Sequence, residues 1–157
     1  MDEIRTRTPE QRRREIRERA AAMGVDEAFV GALVDGFYGR IRADAVLGPV
    51  FNREIEDRWD THLAKMKAFW GSVALGAESY DGRPIPAHIK LQDLTHADFE
   101  RWMELFAATL EELGASEEAR LFFLDRAGRI STSLQMAMFG NPELGLPPAG
   151  AWAKSQK

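Results

Sequence analysis

Asp57-Arg58-Trp59-Asp60-Thr61-His62-Leu63-Ala64-Lys65-Met66-Lys67-Ala68-Phe69-Trp70-Gly71-Ser72-Val73-Ala74-Leu75 decides the fold class of this chain. Its apolar residues recur three and four apart in two adjoining stripes. One is Trp59, Leu63, Met66, Trp70 and Val73; beside it run His62, Met66, Phe69 and Val73. That period belongs to a helix with one buried side, not to a strand. Gly76 then ends the run, as a residue at ease in the left-handed region does at a helix terminus. His62 lies on the apolar side of this helix.

The same period repeats on both sides. Upstream, Thr8-Pro9-Glu10-Gln11 opens a first helix with a capping box and proline at the first helical position, and the segment runs to about Met23 before Gly24. Its arginines (Arg12, Arg13, Arg14, Arg17, Arg19) alternate with acids, which favours a solvated face over a phosphate-binding patch. Asp26 caps a second helix to about Ala43, with Val30, Val34, Phe37, Tyr38 and Ile41 inward. Leu47-Gly48-Pro49-Val50-Phe51 is expected to break the helical run and to deliver Phe51 from a corner.

Downstream, residues 76–94 read as a loop with at most a short helical turn around His88. Thr95-His96-Ala97-Asp98 caps a further helix patterned by Phe99, Trp102, Met103, Phe106, Leu110 and Leu113. Ser116 caps a last helix through Phe139, with Phe123, Ala127, Ile130, Leu134 and Ala137 inward, and Gly140-Asn141-Pro142 stops it. No strand pattern and no internal repeat stands out, so the expected class is all-α.

A chain of 157 residues, 45% of them apolar, suits one domain that removes roughly 68–70% of its unfolded surface from water. The expected division is a charged helical extension over 1–24, a helical domain over 25–140, and a flexible proline-rich tail over 141–157. A net charge of −4 argues against a general nucleic-acid or anionic-membrane binder. Without cysteine there is no disulfide, no thiolate ligand and no Cys-x-x-Cys-His haem attachment. The start, Met1 to Thr8, has no apolar signal region, and no stretch approaches the ~20 apolar residues of a membrane span. A cytoplasmic protein is the expectation.

Chemistry enters at Tyr80-Asp81-Gly82-Arg83-Pro84-Ile85-Pro86-Ala87-His88-Ile89-Lys90-Leu91. Pro84 and Pro86 keep the approach extended, and His88 opens a short apolar stretch just past them. Such an imidazole could hand a neutral nitrogen to a metal. On this segment alone, a buried histidine that hydrogen-bonds its surroundings is the favoured alternative. Tyr38, His62, His88 and Trp102 nevertheless sit on four different elements, each on a face expected to be buried. Converged on one cavity, two histidines with aromatics between them suit a flat apolar cofactor.

Several ordered motifs resemble the truncated haemoglobins of group III: Phe37-Tyr38, Leu47-Gly48-Pro49-Val50-Phe51-Asn52, Trp59, His62-Leu63-Ala64-Lys65-Met66, Phe69-Trp70, Gly82-Arg83-Pro84, His88 and Trp102. The resemblance spans roughly 26–140. It implies a globin-like two-over-two α-helical sandwich holding non-covalent haem b. It also implies His88 as the axial iron ligand, with Tyr38, His62, Met66 and Trp102 around the bound gas. A histidine ligand leaves one iron face open, and its second nitrogen should donate to a backbone carbonyl.

Beside that resemblance each residue keeps its own chemistry. The Tyr38 O–H and Trp102 N–H want partners when buried, and a polarised ligand such as O2 gains from them roughly 0.5–1.5 kcal/mol each, nearly neutral CO less. Packing with the polar tip on a backbone carbonyl is the alternative for both. His62 is read as a donor, a gate, a second iron ligand, or a half-exposed histidine at the rim. Lys65 suits a haem propionate by charge, or is simply solvated. Phe51, Met66, Phe69 and Trp70 are expected to wall the cofactor, though such stripes also serve as plain core. His96 has no iron role.

The function expected is reversible binding of O2, or of NO or CO, at a histidine-ligated haem. Two donors slow release, which suits redox chemistry, detoxification or sensing better than transport. The alternatives are a haem peroxidase or NO/O2-processing enzyme taking peroxide or gas with an external reductase, and a haem-free helical interaction module.

Overall fold

The computed structural model describes residues 8–76 and 94–140, and these form six α-helices with no strand among them. In chain order they are α1 (Pro9–Met23), α2 (Glu27–Ala43), α3 (Leu47–Ile55), α4 (Trp59–Leu75), α5 (His96–Glu112) and α6 (Glu117–Phe139). The first residues, the segment 77–93 with His88, and the tail 141–157 lie outside the described residues.

Side-chain oxygens set most of the helix starts. Thr8 accepts from Gln11 N at 3.1 Å while the Gln11 side chain accepts from Thr8 N, and Thr95 and Asp98 repeat that reciprocal box at α5. Asp26 and Ser116 cap α2 and α6. Gly76 closes α4 with φ +72°, close against the Arg13 backbone of α1.

The stretch 47–51, expected to break the helical run, is itself helical and opens α3; the break lies just before it, at 44–46. Pro49 sits in the first turn of α3, where its missing N–H has no carbonyl to meet and costs nothing. Asp44 supplies the cap: its Oδ2 accepts from Val46 N at 3.0 Å and Leu47 N at 2.9 Å. Gly48 lets α3 begin against the end of α2, because a Cβ there would lie 2.7 Å from the Arg42 carbonyl oxygen. The next helix starts at Trp59, two residues later than the periodicity suggests.

Packing makes α2 the hub, in contact with α3, α4 and α5. Helices α5 and α6 pair with one another, and α1 lies against α4 and α6, burying Ala20 and Met23. All five residues expected inward on α2 are buried. On α6 the buried positions are Ala119, Phe123, Ala127, Ser131 and Leu134, so Ser131 takes the place expected for Ile130, which is half-buried, as is Ala137. Phe37 joins the layers, meeting Tyr38, Trp102 and Phe106 edge-on at 5.0, 5.2 and 5.0 Å, contacts worth roughly 0.5–1.5 kcal/mol each beyond area burial.

Candidate functional site

Tyr38 comes from the middle of α2 and His62 from the first turn of α4. Their rings meet edge-on, centroids 4.9 Å apart and planes at 86°. Phe51, delivered by α3, lies 6.5 Å from Tyr38. The structure therefore gathers three of the sequence-predicted residues. Trp102, on α5, is reached through Phe37, which touches both Tyr38 and Trp102. His88 lies outside the described residues.

Tyr38 is 2% exposed, and burial raises the pKa of its phenol, so the hydroxyl keeps its proton and can donate. Among the described residues, neither the Tyr38 hydroxyl nor the Trp102 indole N–H has a hydrogen-bond partner. Both rings are buried, and their donors have no acceptor among the described residues.

The helix that decides the fold class presents an uneven surface. Trp59, Met66, Trp70 and Ala74 are buried, whereas His62, Leu63, Phe69 and Val73 are half-buried. An apolar stripe left half-open beside buried donors fits a flat apolar cofactor. Trp70 is committed to the core: its ring lies 5.5 Å from Phe106 and 5.6 Å from Phe123. Lys65 is exposed. His96 pairs with Gln135 and packs its ring 4.4 Å from Phe139, away from the Tyr38 cluster.

Two features escape a sequence reading. Asp44 is buried and its Oδ1 accepts from Arg101 Nε at 2.6 Å and Nη2 at 2.5 Å, tying the corner before Phe51 to the residue before Trp102. The Arg101 hydrogen bonds, then those from Leu47 and Val46, outweigh burial and hold its pKa down at about 2. An aspartate three residues ahead of Leu47 was a usable capping signal. Trp59 is the second: its ring touches both Tyr38, at 6.0 Å, and His62, at 5.8 Å.

The profile of the bacterial-like globin family matches residues 21–137. A group 3 truncated hemoglobin of Campylobacter jejuni is 31% identical over 118 residues, covering 73% of this chain and 92% of that protein. The crystal structure of a group III truncated hemoglobin from the same species superimposes with a TM-score of 0.66 over those same shares. A truncated hemoglobin variant from Tetrahymena pyriformis gives 0.59 at 22% identity, over 78% of this chain and 98% of that one. A 2/2 hemoglobin from Synechococcus, whose structure carries a covalently attached heme, gives 0.55 at 23% identity, over 74% and 92%. These last two speak for the fold alone.

Proposed function

The chain belongs to the bacterial-like globin family, among the group III truncated haemoglobins, and from that premise we propose that it binds non-covalent haem b and, with it, a small gaseous ligand. The edge-on pairing of Tyr38 with His62 across α2 and α4 is the observation that carries this. The half-buried stripe of Leu63, Phe69 and Val73 suits one flat face of the cofactor, with Met66 and Phe51 as walls. Trp70 contributes from behind, since its ring is held by Phe106 and Phe123. His88 is assigned as the axial ligand on the family resemblance. Exposed Lys65, one turn beyond His62, suits a propionate.

When bound, haem supplies an iron with one face open to a small ligand. This chain's residues decide what is favoured there. Tyr38, kept protonated by burial, and Trp102, a donor only, would stabilise the polarised O2 more than CO. Two such donors, at roughly 0.5–1.5 kcal/mol each, slow release of O2. Slow release serves redox chemistry, detoxification or sensing of a ligand better than its delivery.

An absorption spectrum of the purified protein tests the cofactor: a Soret band at one haem per chain is expected, and no uptake of added haem overturns it. His88→Ala should abolish haem retention or make it depend on added imidazole. Normal haem content in that variant would remove His88 from the iron.

A further inference from the structure

Trp59 begins α4, a helix whose start has no side-chain cap. Its first turn should fray, since N-terminal N–H groups lack partners there. Instead the indole is fastened on two sides. Nε1–H donates to Asn52 Oδ1 of α3 at 3.1 Å, and the Arg42 guanidinium of α2 lies 4.5 Å from the ring centroid. The two anchors come from the helices that also carry Phe51 and Tyr38. What remains of the ring meets His62 edge-on at 89° and Tyr38 at 62°. His62 is one turn further along, its N–H closing onto the Arg58 carbonyl oxygen at 2.9 Å.

We propose that Trp59 is a positioning residue that holds the His62 imidazole against Tyr38, with Asn52 and Arg42 as the clamp that fixes Trp59. The inference rests on the haem reading above for what His62 does there: an imidazole pinned beside Tyr38 narrows ligand access. A cation over the ring face and an acceptor at the ring edge oppose rotation about the side-chain bonds, so the ring works as a fixed wall.

The test measures CO association in the haem-loaded protein and, separately, the rate at which diethyl pyrocarbonate modifies His62, read from the mass of its peptide. Trp59→Leu should raise CO association roughly two- to tenfold, the range one lost aromatic edge contact spans. Trp59→Phe and Asn52→Ala, which keep a ring at 59 but lose the Nε1–H anchor, should move the same way by less. They carry the test if Trp59→Leu does not fold. In a His62→Leu background, Trp59→Leu should add nothing further. His62 modification should speed up in all three single variants. Equal gains in CO association with and without His62, or unchanged modification of His62, overturn the proposal. Failure to take up haem overturns the haem reading instead, and the modification arm still decides Trp59.

Discussion

Trp59 and Trp102 are buried to nearly the same degree, 6% and 4% exposed, yet the protein treats them differently. Around Trp59 the side chains are tied down: its indole N–H is bound, its face is covered by Arg42, and Arg58 donates to the Ile55 and Glu54 carbonyl oxygens that end α3. Around Trp102 the ring contacts among the described residues are with Phe37 and Phe106, and its N–H has no acceptor among them. On the haem reading proposed above, that N–H and the Tyr38 hydroxyl, on two rings that both meet Phe37, lie on the ligand side. The corner region is built to stay put.

That contrast can be pressed first where packing alone is at stake. Phe123 is fully buried between Trp70, Phe29 and Phe122, outside the Tyr38–His62 cluster. Phe123→Ala should destabilise the protein by about 3–5 kcal/mol in denaturant titration, the usual result for a deleted core phenylalanine. Tyr38→Phe in haem-free protein should leave the midpoint unchanged or raise it slightly, because the hydroxyl it removes makes no bond among the described residues. A large loss from Tyr38→Phe would erase the distinction between the two regions.

Acid attacks the corner next. With Arg101 and two backbone N–H groups on it, Asp44 has a folded pKa of about 2, below its unfolded value. A depressed carboxylate contributes stability that is fully present above the unfolded pKa and is lost as pH falls through the folded one. Roughly 1–2 kcal/mol should therefore vanish between about pH 4 and pH 2, discounted because Arg101 is half exposed. Asp44→Asn should flatten that part of the stability–pH curve. An unaltered curve in the variant would mean that other carboxylates govern it.

The open side is tested by ligand release. Tyr38→Phe and Trp102→Phe should each speed O2 dissociation roughly fivefold, the equivalent of one ~1 kcal/mol hydrogen bond, with a smaller change for CO. The double variant need not be additive, since both donors serve one ligand. Unchanged release in both would return the two rings to packing.

How far the sequence foretold this contrast depends on distance along the chain. Thr8, Asp26, Thr95 and Ser116 act on N–H groups three residues away, so the helices they cap were legible within a residue or two. The faces of Tyr38 and His62 were legible for the same local reason. The third helix was not, because Pro49 signals a break in sequence and is harmless in a first turn. Asp44 escaped because its partner is 57 residues away. Trp70 and Lys65 show a different limit: a stripe tells which side of a helix is apolar, but not whether that side meets Phe106 and Phe123 or an open face.

The smallest effect probes the fixed corner from its backbone. Glu56, between α3 and α4, has φ +56° and ψ −116°, the sole non-glycine positive φ among the described residues. A side chain there meets its own backbone, at a cost of order 1–3 kcal/mol. Glycine removes that clash but makes the unfolded chain more flexible, giving back about 0.4–1 kcal/mol. The two terms leave Glu56→Gly more stable by about 0–2.5 kcal/mol, centred near 1, in denaturant titration. Strain held at this point keeps the α3–α4 turn tight, and Trp59 lies three residues on, already anchored to Asn52 and Arg42. If those anchors fix the corner, the variant gains stability without any change in CO association. If CO association rises along with stability, the backbone strain itself is what keeps His62 in place.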